Sequence, residues 1–299
     1  LMQGQFAWSV RQHPNVHRCF AALYPDEEGP LVTSMDVTFF TPEGAVPRNC
    51  NRFSAHVDQN QHDVREGLSG CSSYQGALYV WDADGASSTT ALWPGSHKDP
   101  YCKLMADAAS EESGKHGMHY CEISSMKNKA RARELAAGWA SGARRVPVPA
   151  GALLLWTSRL VHCGWTGGPR LAQAVCLQPS SRRSEVQRIA KLRLAALGLP
   201  SAHWAQIAMQ HDMVLGDGGY FSRVIRQSRR YVTGDEEDNK LVHDEVVLPM
   251  KAAVRPSALA KDADLVKLRR LVKVPYKHTG MWIPPSSTIK LLEASVTDE

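Results

Sequence analysis

Apolar positions spaced three and four apart mark residues 14–24 as a helix. Val16, Cys19, Phe20 and Leu23 share one face, and Pro14 suits a first-turn position. The pattern then changes period. Leu31 to Phe40 is rich in β-branched and aromatic residues and predicts a strand, closed by the loop residues Pro42, Gly44 and Pro47. From Phe53 to Trp93 the chain stays β-like, with strands expected at Tyr74 to Trp81 and Thr89 to Trp93 on either side of the turn Asp82-Ala83-Asp84-Gly85. Residues 99–143 switch to helix formers at Lys103 to Ala109 and Lys127 to Ala140, so a helical insertion divides two halves of a sheet. β character returns at Arg145 to Val148, Ala152 to Trp156 and Leu171 to Leu177, with Pro149-Ala150-Gly151 as a turn. Residues 182–210 read as two helices broken at Gly198-Leu199-Pro200, and past 211 the periodicity fades into charge runs such as Asp235 to Asp238.

Short strands with turn signals, interrupted by helices in blocks, predict a mainly β fold with flanking helices (α+β), a sandwich or jelly roll with helices packed outside it. At 299 residues the chain is expected to form a large domain over 1–181 and a helical flank with a basic appendage over 182–299. The charge distribution follows that division. Residues 1–181 carry sixteen Lys/Arg against sixteen Asp/Glu, so the net +5 lies wholly in the C-terminal part. A basic excess of that size helps to attract an anionic partner but is short of the clustered stripe of a dedicated nucleic-acid binder. No apolar run is long enough to span a membrane. Seven cysteines without a CxxC pair are read as reduced thiols, and the absence of a secretory pattern at Leu1 to Gln5 fits an intracellular, reducing compartment, the cytoplasm by default. GxGxxG, P-loop and GxSxG words are all missing, which argues against the usual dinucleotide, nucleoside triphosphate and serine-hydrolase chemistries.

The word Ser54-Ala55-His56-Val57-Asp58-Gln59-Asn60 carries the first chemical signal. In an extended segment residues i and i+2 point to one side, so His56 and Asp58 would offer an imidazole and a carboxylate to one ion. The best third ligand is His162, expected at the end of the most convincing late strand. Two His and one carboxylate leave coordination positions open, as in non-haem Fe(II) oxygenases, although zinc hydrolysis uses a similar set. Arg170, eight residues further on, has the planar fork that suits a carboxylate, with Arg159 as the fallback. His116 and His119 lack a convincing third ligand. The eight tryptophans are read as core more readily than as a base-stacking platform, and Arg229-Arg230 and Lys267 to Lys273 as solvated faces.

Together His56 to Asn60, Tyr74-Gln75-Gly76, Leu92-Trp93-Pro94-Gly95-Ser96-His97-Lys98 and Gly151 to His162, followed by Arg170, resemble the phytanoyl-CoA dioxygenase-like family of Fe(II)/2-oxoglutarate-dependent oxygenases. Trp8 to Pro14, Ser34-Met35-Asp36 and Ala202-His203-Trp204 add to the likeness, which runs over residues 6–210. The resemblance implies a double-stranded β-helix, a distorted cupin-like jelly roll, with the metal at its open end. It implies that His56, Asp58 and His162 hold Fe(II), that Arg170 holds 2-oxoglutarate, and that Gln75 contacts cosubstrate or substrate. Asn60 and His97 are weaker substrate candidates. O2 is the implied oxidant, with ascorbate as an accessory reductant. Related halogenases replace the carboxylate by a small residue, so Asp58 implies oxygenation. The spacing from His162 to Arg170 is shorter than in several family members.

The expected reaction is oxidative decarboxylation of 2-oxoglutarate to succinate and CO2, coupled to hydroxylation, desaturation or cyclisation at an unactivated C–H bond of a small molecule. Two other readings stand beside it. One is an oxygenase acting on a modified nucleobase in nucleic acid, motivated by the basic C-terminal part. The other is a catalytically silent jelly-roll binding protein.

Overall fold

The structure, a computed structural model, describes residues 5–34, 36–43, 55–63, 71–184 and Trp204. They divide between two compact units. One comprises residues 14–25 and 38–178, and the other residues 1–13, 26–37 and 179–299 so far as these are described. In chain order come helices α1 (Gln5–Arg11) and α2 (Pro14–Ala21), then strands β1 (Leu31–Thr33), β2 (Thr38–Thr41), β3 (His56–Val57), β4 (Tyr74–Tyr79) and β5 (Thr89–Leu92). Helices α3 (Asp99–Met105) and α4 (Ala108–Lys115), strand β6 (Cys121–Glu122) and helix α5 (Lys129–Gly142) form the insertion. Strands β7 (Arg144–Arg145), β8 (Leu153–Thr157), β9 (His162–Trp165), β10 (Arg170–Val175) and β11 (Leu177–Pro179) follow.

In the larger unit four strands pair in the order β2-β10-β4-β8 and five in the order β6-β3-β9-β5-β7, every pairing antiparallel. The sheets face each other. Tyr79 on β4 reaches across to Thr90 on β5, with the two hydroxyls 3.1 Å apart, and Ala77, Tyr79, Ala83, Val148 and Ala172 make an apolar cluster between the layers. The insertion covers the outer side of the five-stranded sheet. Ala55 and Val57 join Tyr101, Leu104, Met105, Ile123, Met126 and Leu135 in a second cluster, which fixes one face of β3 into a core.

Two expected elements divide where a polar side chain competes with the backbone ladder. The strand expected over Leu31 to Phe40 ends at Thr33 and resumes at Thr38. In the gap the buried Ser34 hydroxyl donates to Asp36 Oδ2 at 2.9 Å, and the fully buried Arg11 guanidinium donates to the Asp36 carbonyl at 2.6 Å. Burial lowers the Arg11 pKa to about 10, with the charge of Asp36 pulling the other way, and Trp8 lies under the guanidinium at 5.2 Å. All of these belong to the smaller unit, which also contains the Arg182–Glu27 ion pair. The helix expected over Lys103 to Ala109 breaks at Asp107, whose carboxylate caps α4 through Ala109 N and accepts from the amides of Lys127 and Asn128.

Helix α2 buries Val16 and Phe20 as expected, but Cys19 is exposed. The six described cysteines are free thiols. Among the described residues no helix is long and apolar enough to cross a membrane. The helices expected over 182–210, the basic pairs beyond them and the appendage lie outside the described residues, apart from 182–184 and the buried Trp204.

Candidate metal centre

Alternation along β3 sets the site. Val57, wholly buried, points into the cluster under the insertion, which turns His56 and Asp58 to the side facing the other sheet. The Asp58 amide donates to the Ser158 carbonyl at 3.0 Å and prolongs the extended run past the strand end. His162 lies opposite His56 in the antiparallel β3–β9 register, and the two rings are 4.5 Å apart. Cross-strand partners have Cβ atoms about 5 Å apart, so one ion is within reach of both imidazoles. His162 opens β9 instead of ending the strand before it, because Ser158 to Leu160 form a turn closed by the Leu160 amide on the Thr157 carbonyl at 2.9 Å.

One ligand atom from each of His56, Asp58 and His162 lies within 4.8 Å of the others, and among the described residues no other His, Cys, Asp or Glu group does this. Asp58 Oδ2 is 3.1 Å from His162 Nε2 and 3.8 Å from His56 Nε2. Adjacent ligands of an octahedral ion with bonds of about 2.1 Å stand roughly 3 Å apart, so the triad is close to the spacing an ion requires. The donor set fits a cation on chemical grounds as well. His162 Nδ1 lies 2.9 Å from the Leu160 carbonyl, and by donating there it leaves Nε2 as a lone pair aimed at a carboxylate oxygen. Two acceptors 3.1 Å apart repel unless a proton or a metal ion lies between them. Gln75 Nε2 also donates to Asp58 Oδ2, at 3.0 Å, and so fixes the carboxylate from the facing sheet. The Trp156 indole, opposite Gln75 in the β4–β8 register, stands 5.4 Å from the His162 ring.

Arg170 begins β10 and is buried. Its Nη2 donates to Tyr79 Oη at 3.1 Å and to Thr90 Oγ1 at 3.4 Å, and its plane lies 4.2 Å from the Phe39 ring centre and 5.1 Å from that of Tyr79. Desolvation pulls its pKa below the ordinary arginine value, against the support of Tyr79, and buried Nε has no hydrogen-bond partner. Among the described residues no carboxylate pairs with it. Thr90 is two residues along β5 from Leu92, and Leu92 is the register partner of His162, so the guanidinium is held about 7 Å along the strand from the histidine level.

Other candidates fall elsewhere. The buried Asn60 amide is spent on the Ser110 and Met118 carbonyls and the Ser113 hydroxyl, anchoring α4. His97 is exposed on the turn before α3, while its neighbour Ser96 accepts from the Val161 amide. Arg159, the fallback anchor, lies in the turn after β8, over the Tyr101 ring at 5.7 Å. The coupling of Gln75 to Asp58 and of Thr90 to Arg170 had no signal in the sequence, since each pair joins strands of different sheets, and that of Tyr79 to Arg170 had none because β4 and β10, far apart in the chain, become neighbours only in the folded sheet.

No family model matches the chain, and no curated protein matches it. Among solved structures it is similar to EctD from S. alaskensis with 2-oxoglutarate and 5-hydroxyectoine, at 13% identity and a TM-score of 0.37 over 60% of this chain and 54% of that one. It is also similar to the nickel complex of the non-heme monooxygenase ThoJ, at 15% identity and a TM-score of 0.37 over 60% and 55%. A third is the non-heme alpha-ketoglutarate-dependent epimerase SnoN from nogalamycin biosynthesis, at 13% and 0.33 over 58% and 56%. The matched region spans little more than half of each of those chains, so the chemistry has to be read from the residues of this one.

Proposed function

We propose that the protein is an Fe(II)/2-oxoglutarate-dependent oxygenase that hydroxylates, or oxidatively desaturates or cyclises, a small organic substrate at an unactivated C–H bond. The observation that carries the reading is the pairing, between the same two sheets, of a His56-Asp58-His162 cluster with a buried Arg170 that has no carboxylate partner among the described residues. The strand order supports a double-stranded β-helix. With β6 set aside, the eight strands β2 to β5 and β7 to β10 pair as first-eighth-third-sixth and second-seventh-fourth-fifth, the order of two interlocked Greek keys.

His56, Asp58 and His162 would hold the iron on one side and leave the other open. O2 would supply the oxidising power at the bound iron, with 2-oxoglutarate giving up two electrons and leaving as succinate and CO2. The residues of the chain do the rest. Arg170 offers its fork to the distal carboxylate of a five-carbon dicarboxylate that bridges the interval to His162. Tyr79 and Thr90 keep the guanidinium aimed, and Phe39 shields one side of it from water. Gln75 orients Asp58 so that one oxygen faces both imidazoles. Retention of a carboxylate at Asp58 supports oxygen transfer over halogenation. The division of the chain into an oxygenase core over 1–181 and a C-terminal flank belongs to the same proposal.

Anaerobic addition of Fe(II) and 2-oxoglutarate should produce a weak visible charge-transfer band that is absent in Asp58→Ala. No band in the wild type would overturn the reading and favour a silent binding protein. With candidate substrates, stoichiometric succinate release identifies turnover, and a salt-sensitive response to oligonucleotides would move the substrate class to nucleic acid.

A further inference from the structure

The balanced charge of residues 1–181 hides a local excess. From Ile123 to Ser181 there are eight Lys/Arg and a single carboxylate, Glu134. Glu134 is taken by Lys103, Nζ to Oε1 at 2.6 Å. Three of the remaining cations, Lys129, Arg133 and Arg145, surround a cavity of about 850 Å³ between α5 and the outer side of the five-stranded sheet. That volume lies within the range of roughly 300–1,000 Å³ typical of small-molecule sites.

The cavity is on the opposite side of β9 from the metal centre. His162 turns inward, while Trp165, three residues on, lines the outer cavity. The α5 wall is a single helical stripe at spacings of three and four that includes Lys129, Arg133, Ala136 and Trp139. Small side chains along this stripe leave room between the helix and the sheet, and the two indoles give the cavity flat apolar walls. Arg145 is pinned in place, stacked 5.2 Å over the Trp165 ring and donating to the carbonyls of Gly85 and Ser87, while its buried Nε has no partner. The described lining contains no Asp or Glu, and no ion pair among the described residues involves Lys129, Arg133 or Arg145.

We propose that this cavity is a second ligand site, separate from the metal centre, that takes an organic anion with a flat aromatic body. The anionic head would meet Lys129, Arg133 and Arg145, and the ring would lie between Trp139 and Trp165. The chemistry follows from the lining. Uncompensated cations in a concave apolar setting attract an anion strongly, and indole faces favour a planar partner.

The probe is 1-anilinonaphthalene-8-sulfonate, titrated into the full chain with excitation at the tryptophan band. Saturable, tryptophan-sensitised emission with one site per chain is expected, weakening as NaCl is raised. Lys129→Glu/Arg133→Glu should weaken binding by about tenfold or more through loss of two charge-assisted contacts. Ala136→Leu, which fills the cavity and keeps every charge, should also weaken it. Asp58→Ala should bind the dye as the wild type does, because it alters only the inner side of the sheet. Circular dichroism confirms that each variant is folded. Absence of saturable binding overturns the proposal. So does equal binding by wild type and the charge-reversal variant, or a loss in Asp58→Ala equal to that in the charge-reversal variant. None of these outcomes depends on whether the metal centre is an oxygenase site.

Discussion

His56 and His162, more than a hundred residues apart in sequence, are direct cross-strand partners with rings 4.5 Å apart. The pairing makes the candidate ligand set a property of sheet register: a slip of one residue in either strand would turn one imidazole out of the interior and remove it from the cluster. The contacts that fix the register therefore bear on the chemistry as much as the ligands do.

Gln75 is one such contact, since its amide holds Asp58 Oδ2 at 3.0 Å from the facing sheet. Removing partners of this kind typically lowers metal affinity about 10- to 100-fold. Gln75→Leu is expected to weaken Co(II) binding by that factor, read from the visible ligand-field bands of the Co(II) complex, while far-ultraviolet circular dichroism stays unchanged. An unaltered Co(II) affinity would show that Gln75 does not position the carboxylate.

Arg170 provides a sharper separation of binding from stability. Its guanidinium is buried and has no carboxylate partner among the described residues, and an uncompensated buried charge does little for the fold. Arg170→Met should leave the melting temperature of the protein unaltered or raised, yet weaken 2-oxoglutarate binding about 100-fold through loss of a two-pronged contact. In differential scanning calorimetry, 2-oxoglutarate should stabilise the wild type and not the variant. A 2-oxoglutarate-dependent shift retained in full by Arg170→Met would remove Arg170 as the anchor.

Asp107 controls the insertion. Burial, the largest single influence, pushes its carboxyl pKa upward, but the amides of Asn128, Lys127 and Ala109 with the charge of Arg131 outweigh it and hold the value below the usual carboxylate range. A depressed folded value means that the stabilisation is complete above the unfolded pKa of about 3.9 and is lost as pH falls through the folded value. Urea unfolding should show the wild type losing stability below about pH 4, with a smaller loss in Asp107→Asn. At pH 7, Asp107→Ala should cost about 2–3 kcal/mol for the cap and the two further amide bonds.

Gly138 sets the distance of α5 from the sheet. A Cβ there would meet Trp93 Cη2 at 2.4 Å, and one at Gly142 would meet Trp93 Nε1 at the same distance. In an exposed helix Gly→Ala gains up to about 1 kcal/mol, whereas overpacking a core costs about 1–3 kcal/mol. Gly138→Ala is therefore expected to be net destabilising in chemical denaturation. A gain in stability would mean that Trp93 can move aside.

The sequence by itself determined the order of the elements and the local chemistry of each word. Alternation in His56-Val57-Asp58 requires two polar ligands on one side and an apolar residue on the other, and the structure has Val57 buried in a core cluster with His56 and Asp58 opposite. The block of helix formers over 99–143 appears as α3, α4 and α5 with the short strand β6 among them. These features depend on period, capping and side-chain type, which act over a few residues and can be read along the chain.

Tertiary structure decided what meets what. Nothing within Tyr74 to Tyr79 announces that Gln75 reaches Asp58 while Tyr79 props Arg170, because the first contact arises from the facing of two sheets and the second from the pairing of β4 with β10. Asn60 carried the same local signal as its neighbours in the His56 word and became an anchor for α4, since its burial beside that helix turned its amide nitrogen to the Ser110 and Met118 carbonyls and the Ser113 hydroxyl. The single strand expected over Leu31 to Phe40 divided because a buried arginine and a serine claimed the polar atoms of Asp36. Even charge, balanced over residues 1–181, was redistributed by folding into a cavity whose described lining has three cations and no carboxylate. Pairing across sheets and burial against distant helices are long-range choices, and hydrogen-bond satisfaction in the folded interior, more than local propensity, selected among them.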